Sequence, residues 1–346
     1  MSKKGEEARA STRAPRDTVS LYGHREAESV LLDAYRSGQC PHAWLIGGPQ
    51  GIGKATLAYR MARFVLAHPL PSAPAVRNAQ SLEVDASHPA ARRIAAATHG
   101  GLLVLERALN DRGVLRTEIA VDAARETVPF FGSTSAEGGW RVCIVDTVDE
   151  LNANSANALL KVLEEPPARS LFLLVSNAPA RVIATIQSRC RKLSLRALEA
   201  NDVVRAVADA AGIDAADKAL TVAAGLSEGS VARAMLLLGG ETLGMQHKTE
   251  ALLKALPLLD PKAMHGLGDS LAGNDRAALL AFVDTLERWM TAQLRSGRAR
   301  ADLPRLARLS EVWEKVGRAV RETQEFNLER KPLVFSVFGM LAEAMR

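Results

Sequence analysis

The chain is poor in cysteine, and its three, Cys40, Cys143 and Cys190, lie far apart with no CxxC pair among them. That spacing suggests neither a zinc knuckle nor a disulfide framework, and it fits a reducing, cytoplasmic compartment. Long apolar runs are lacking as well. No stretch reaches the roughly 18 consecutive apolar residues of a spanning helix, so no membrane span is expected. The opening MSKKGEEARASTRAPRD has no apolar core and does not read as a secretory signal. Residues 1–17 read as a disordered tail. Aromatic residues make up only 4%, and Ala and Leu are abundant, which favours helices over an all-β fold. Charge of one sign is also missing: 44 Lys and Arg face 39 Asp and Glu, for a net charge of +5. This mild excess fits a nucleic-acid partner and an ordinary solvated surface equally well.

What is present is material for two or three domains, since 47% of 346 residues are hydrophobic. Ala43–Ile46, Leu102–Leu105, Val142–Val145 and Leu171–Val175 are short apolar runs bounded by polar residues or glycine. Such runs read as buried parallel strands, with Lys192–Leu195 a candidate fifth. Helical patterns lie between them, so the first 195 or so residues read as repeated βα units with a doubly wound sheet. One helix is well marked: Asn154 is its expected cap, Ala156, Leu159, Leu160 and Leu163 form one apolar face, and Pro166–Pro167 stops it. Residues 69–90, with Pro69, Pro71, Pro74 and Pro89, read as an irregular loop, and Gly132–Gly139 as a flexible one. Past residue 196 the strand signals vanish. A small Ala- and Val-rich helical region precedes amphipathic helices that carry Trp289 and Trp313.

The first strand runs into Gly48-Pro49-Gln50-Gly51-Ile52-Gly53-Lys54-Ala55-Thr56, close to the P-loop pattern. Gly48, Gly51 and Gly53 let the backbone curl so that N–H groups face phosphate oxygens. The following helix adds its positive end, and Lys54 reaches the terminal phosphates. A tight turn that binds nothing would use the same glycines. The residue after the lysine should carry a hydroxyl for Mg²⁺, but it is Ala55. Thr56 is no replacement, because one helical step turns the side chain by about 100°. Asp146, at the end of the Val142–Val145 run, reads as the metal-side carboxylate, or alone as a turn cap. The position for a water-polarising base is Thr147, which cannot accept that proton. The two losses predict poor ATP hydrolysis, with weak ATP or ADP binding left to the cradle and Lys54.

Three segments carry a family resemblance. Asn157-Ala158-Leu159-Leu160-Lys161-Val162-Leu163-Glu164-Glu165-Pro166-Pro167, Ser188-Arg189-Cys190 and His42-Ala43-Trp44 resemble, in order, the NALLKxLEEPP, SRC and HAY/HAW motifs of bacterial clamp loader subunits. Gly229-Ser230-Val231-Ala232-Arg233-Ala234 is similar to the sensor-2 segment of that family. The last 100 residues fit only by length and helical pattern. Within the family, motor subunits keep intact nucleotide motifs, whereas a second kind keeps SRC beside a degenerate P-loop. The chain resembles the second kind.

The resemblance implies an α/β AAA+ P-loop domain with a parallel sheet over residues 18–196. A small helical lid over 197–243 and an all-α collar over 244–346 would follow. It implies a heteropentamer with motor subunits and the delta subunit, which opens a sliding clamp and places it on primed DNA. It implies that Arg189 acts on a neighbour's ATP as an arginine finger, that Asn177 stands at sensor 1 and that Arg233 stands at sensor 2. For Arg189 a local cap or pairing is the alternative reading, and for Asn177 a purely structural role. No cofactor is required on this reading, and no metal site is expected. Many members of that family carry four cysteines in a zinc module, whereas this chain has none between Cys40 and Cys143, so zinc is expected to be absent. An active motor subunit is the competing reading, and Ala55 and Thr147 speak against it. A P-loop kinase would leave the NALLK and SRC segments unexplained. Arg295, Arg298, Arg300, Arg305 and Arg308, near Gly297 and Pro304, read as a solvated loop, with DNA contact the alternative.

Overall fold

The computed structural model describes residues 13–109, 116–132, 139–238, 241–272, 276–295, 303–325 and 328–345. The chain divides into two compact units, one of residues up to 109 with 116–235, the other built mainly from 236 onward. In the first unit α1 (Arg25–Arg36) precedes β1 (Ala43–Gly47) and α2 (Lys54–Ala67). Short helices α3 (Pro74–Arg77) and α4 (Pro89–Ala95) lead to β2 (Leu102–Glu106). Then come α5 (Val121–Arg125), α6 (Thr127–Gly132), β3 (Arg141–Asp146), α7 (Ala153–Glu164), β4 (Ser170–Ser176), α8 (Ala184–Gln187) and β5 (Arg191–Ser194). Helices α9 (Ala200–Ala211), α10 (Lys218–Leu226) and α11 (Val231–Leu238) follow.

The five expected strands all form, and they make one parallel sheet in the order β2-β3-β4-β1-β5. Side chains alternate between faces with period two. Trp44, Ile46, Ile144, Leu171 and Leu173 pack on α1 and α2. Ala43, Leu45, Cys143, Val145, Phe172 and Leu174 pack with Leu159 and Leu163 of α7. Helices on both faces explain why the central strands are apolar throughout. The outer strand β5 instead exposes Arg191 and Lys192, charges that discourage further strand pairing.

Two local expectations need correction. Asn152, not Asn154, caps α7: its side chain accepts from the Ser155 N–H at 2.9 Å, while Asn154 lies exposed one residue inside the helix. Residues 69–90 are also more regular than their prolines suggest, because Pro74 and Pro89 open α3 and α4 from the first turn, where a missing N–H costs nothing. Val76, Leu82 and Val84 of this segment are buried against α1 and α2. The Glu28 carboxylate accepts from Arg60 Nε and, at 2.9 Å, from the Leu82 N–H. Trp140 Nε1 donates to the Pro69 carbonyl at 3.1 Å and its ring meets Tyr35 edge-on.

Of the expected tail, residues 1–12 lie outside the described residues, whereas Arg63 Nη2 donates to the carbonyls of Pro15, Arg16 and Thr18. Residues 133–138 of the expected flexible loop also lie outside them.

The second unit is helical: α12 (Glu241–Ala255), α13 (Pro261–Leu271), α14 (Arg276–Arg295), α15 (Leu303–Glu325) and α16 (Arg330–Ala344). Leu267, Phe282, Val337, Phe338 and Leu341 form its core, with Trp289 and Trp313 packed against it. Arg298 and Arg300 of the basic cluster lie outside the described residues, and Arg308 is exposed on α15. Among the described residues no helix is long and apolar enough to cross a membrane.

Candidate functional site

The phosphate loop leaves the end of β1 and enters α2. Gly53 caps α2 with φ +97, a backbone state that side chains with a Cβ adopt at a cost. Gly51 has φ +74 and sits under the start of α11. A Cβ there would stand 2.4 Å from Ser230 Oγ and 2.7 Å from Ala232 Cβ. Its carbonyl accepts from Val231 N–H at 2.9 Å and Ala232 N–H at 3.3 Å. Free N–H groups at a helix start seek acceptors, and here the loop supplies one. The sequence-predicted sensor-2 helix is therefore bonded directly to the loop. Arg233 on that helix is buried, and its Nη1 lies 3.1 Å from Glu228 Oε1.

Lys54 is buried at 4% exposure, and its Nζ donates to the Gly48 carbonyl at 2.9 Å and to the Pro49 carbonyl. Burial pushes its pKa down to about 8, although Asp146 and Asp149 pull the other way. Asp146 closes β3 beside Glu106 of β2. Burial and then Glu106 raise its pKa, opposed by Lys54 and Arg107. The predicted loop residues and Asp146 are thus brought together. Ala55 and Thr56 follow Lys54 on α2, half-buried. Thr147 is buried, and its hydroxyl has no hydrogen-bond partner among the described residues.

Three contributors were not singled out from sequence. Asp149 accepts from Ser176 Oγ at 2.7 Å and from the Asn177 N–H at 2.6 Å, so it fixes the backbone at the end of β4 where Asn177 stands exposed. Glu150 pairs with Arg107 Nε at 2.9 Å, and burial pushes its pKa up to about 7. His24 is buried with Nε2 2.7 Å from the Ile52 carbonyl of the loop, and burial lowers its pKa. The run Asp149-Glu150 just past Asp146 was a visible signal. His24 carried none.

Arg189 is elsewhere. It precedes β5, whose Arg191 registers with Trp44 and whose Ser194 registers with Gly47. Because β1 and β5 are parallel, Arg189 belongs to the edge where strands begin, and the loop to the edge where they end. Three residue steps, about 10 Å of strand, separate even Arg191 from that end. Nor is the side chain free in the isolated chain: Nη2 donates to Glu164 Oε1 at 2.8 Å and Nη1 to the Thr185 carbonyl at 2.8 Å. The side chain is 33% exposed. The chain's own site offers neither a Mg²⁺ hydroxyl at residue 55 nor a carboxylate at residue 147.

The family described as DNA polymerase III, delta subunit, matches residues 23–199. Over 152 residues the chain is 36% identical to DNA polymerase III subunit delta' of Pseudomonas aeruginosa, covering 44% of this chain and 42% of that protein. Over 161 residues it is 31% identical to subunit delta' of Escherichia coli, covering 46% and 44% respectively. Subunit tau of Escherichia coli is 24% identical over 276 residues, 78% of this chain and 40% of that one. The chain therefore spans less than half the length of these curated relatives. Among solved structures, a DNA polymerase III gamma subunit-related protein of Thermotoga maritima aligns over 91% of this chain and all (100%) of its own, with 16% identity and a TM-score of 0.45.

Proposed function

This chain belongs to the DNA polymerase III delta subunit family, and we propose that it serves there as the non-motor, delta-prime-type subunit of a clamp loader. On this reading it assembles with motor subunits and the delta subunit, helps load a sliding clamp on primed DNA, and presents Arg189 to a neighbour's ATP while its own site turns over little or no nucleotide.

The placement of Arg189 carries the reading. It stands at the opposite edge of the sheet from the chain's own phosphate loop, so a phosphate it meets belongs to another chain. A guanidinium against a γ-phosphate offsets charge that develops in the transition state. Ala55 and Thr147 remove the metal hydroxyl and the base from the chain's own site. The longer alignment with a tau subunit favours the alternative of a working motor, and those two residues oppose it. Zinc has no place in this reading.

The test is ATP hydrolysis by the isolated chain beside its Lys54→Ala variant. Turnover indistinguishable between the two, at background level, is expected. Turnover at a rate typical of working ATPases (about 1 s⁻¹ or more), lost in Lys54→Ala, would make the chain a motor.

A further inference from the structure

The contact between Arg189 and Glu164 joins residues 25 apart in sequence. Glu164 is the last residue of α7, and that helix is not loose. Asn152 caps its start, Leu159 and Leu163 are buried in the core beneath the sheet, and Pro166 follows its end. The helix runs from the strand-end edge that holds Asp146 back to the strand-start edge that holds Arg189. The Glu164 carboxylate therefore extends from the end of a capped and packed helix.

Arg189 stands just after the four-residue helix α8, whose Ile186 is buried in the same core as Leu159 and Leu163, and just before β5. Nη1 donates to the Thr185 carbonyl at 2.8 Å and lies 3.4 Å from Ser188 Oγ, while Nη2 donates to Glu164 at 2.8 Å. Nε has no partner among the described residues. A long arginine left to itself spreads over many rotamers, and its planar fork acts on a phosphate only when aimed. Thr185 and Ser188 belong to Arg189's own turn. Among the described residues, Glu164 is the one partner of the guanidinium that lies outside that turn.

We propose that Glu164 is a positioning residue for Arg189: it holds the guanidinium by its Nη2 side, so that the plane is already oriented when a neighbouring subunit's nucleoside triphosphate arrives. This rests on the reading of Arg189 as a group that acts in trans. Groups that act on a site from one shell out hold it by fixing geometry, and their loss is felt in turnover. The contact is also partly exposed, with side-chain exposures of 33% and 51%. A partly exposed pair of this kind yields when a phosphate competes.

The same carboxylate also subtracts charge from Arg189. If the arginine worked only as a point charge, removing Glu164 would help it. The experiment separates the two. Complex reconstituted with its motor and delta subunits is assayed for DNA-stimulated ATP hydrolysis with Glu164→Ala, Glu164→Gln, Arg189→Ala and the double variant Glu164→Ala/Arg189→Ala. Glu164→Ala is expected to lower kcat about 2-fold or more at unchanged KM for ATP. Glu164→Gln, which keeps an acceptor oxygen, should retain more activity. The double variant should match Arg189→Ala, because a positioning residue has nothing left to position. If Arg189→Ala lowers turnover but Glu164→Ala is neutral, activating or fully additive with it, the positioning role is wrong while the trans arginine stands. If Arg189→Ala itself is without effect, the underlying reading falls and this inference with it.

Discussion

Lys54 shows how far a single side chain departs from the residue its motif describes. Its ammonium is buried against the carbonyls of its own loop, and burial lowers its pKa from the ordinary 10.5 to about 8. A lysine whose folded pKa is depressed binds fewer protons folded than unfolded between those two values. Stability contributed through Lys54 should therefore rise with pH from about 8 to about 10.5. The raised thiol of Cys40 acts in the opposite direction, from 9.0 up to about 11, so the comparison must be with a variant. Unfolding free energy measured from pH 7 to 10 should climb more steeply in the parent than in Lys54→Met. Equal slopes would mean that the amine is solvated and charged throughout.

At the scale of elements, the contact to weigh is the start of α11 on the phosphate loop. Gly51 and Gly38 share nearly the same φ, +74 and +73, but a Cβ on Gly38 meets nothing within 4 Å. Each Gly→Ala change pays the cost of a left-handed alanine, about 1–2 kcal/mol. Gly51→Ala must also displace Ser230 and Ala232, an overpacking cost of about 1–3 kcal/mol more. Thermal or denaturant unfolding should rank Gly51→Ala clearly below Gly38→Ala. Equal losses would show that α11 does not bear on the loop.

The strands were legible because each is a short apolar run with polar or glycine borders, and parallel strands covered on both faces need that composition. The helix of residues 153–164 was legible from its face and its prolines, but its cap was not. Asn152 and Asn154 are both good caps, and only the fold shows which one meets the Ser155 N–H and also donates to Glu118. In residues 69–90 proline density misled, since proline opens a helix as readily as it stops one. The Glu164–Arg189 pair was beyond sequence reading, because α7, β4 and α8 must all fold before the two ends meet.

For the whole molecule, the segment after α2 is tied to the core by buried Val76, Leu82 and Val84 and by Glu28, which accepts from both Arg60 and the Leu82 N–H. With no metal-site spacing in the sequence, the purified chain should carry well under one zinc per molecule and keep its melting temperature in chelator. About one zinc per chain by elemental analysis would contradict this. On the proposed function, the chain contributes Arg189 to a site that is not its own. Truncating Arg189 breaks a partly exposed pair with Glu164, which should cost about 1 kcal/mol or less of fold stability. A fingertip in trans is worth far more in rate, about 10³–10⁵ in well-studied GTPases, and a complex with further sites would dilute that effect. The most direct measurement is ATP hydrolysis by the intact reconstituted complex carrying Arg189→Ala beside Arg189→Lys. Both should turn over more slowly than the parent at unchanged assembly, with lysine rescuing poorly because it lacks the planar fork. Parental turnover in both variants, or a complex that comes apart, would contradict the account.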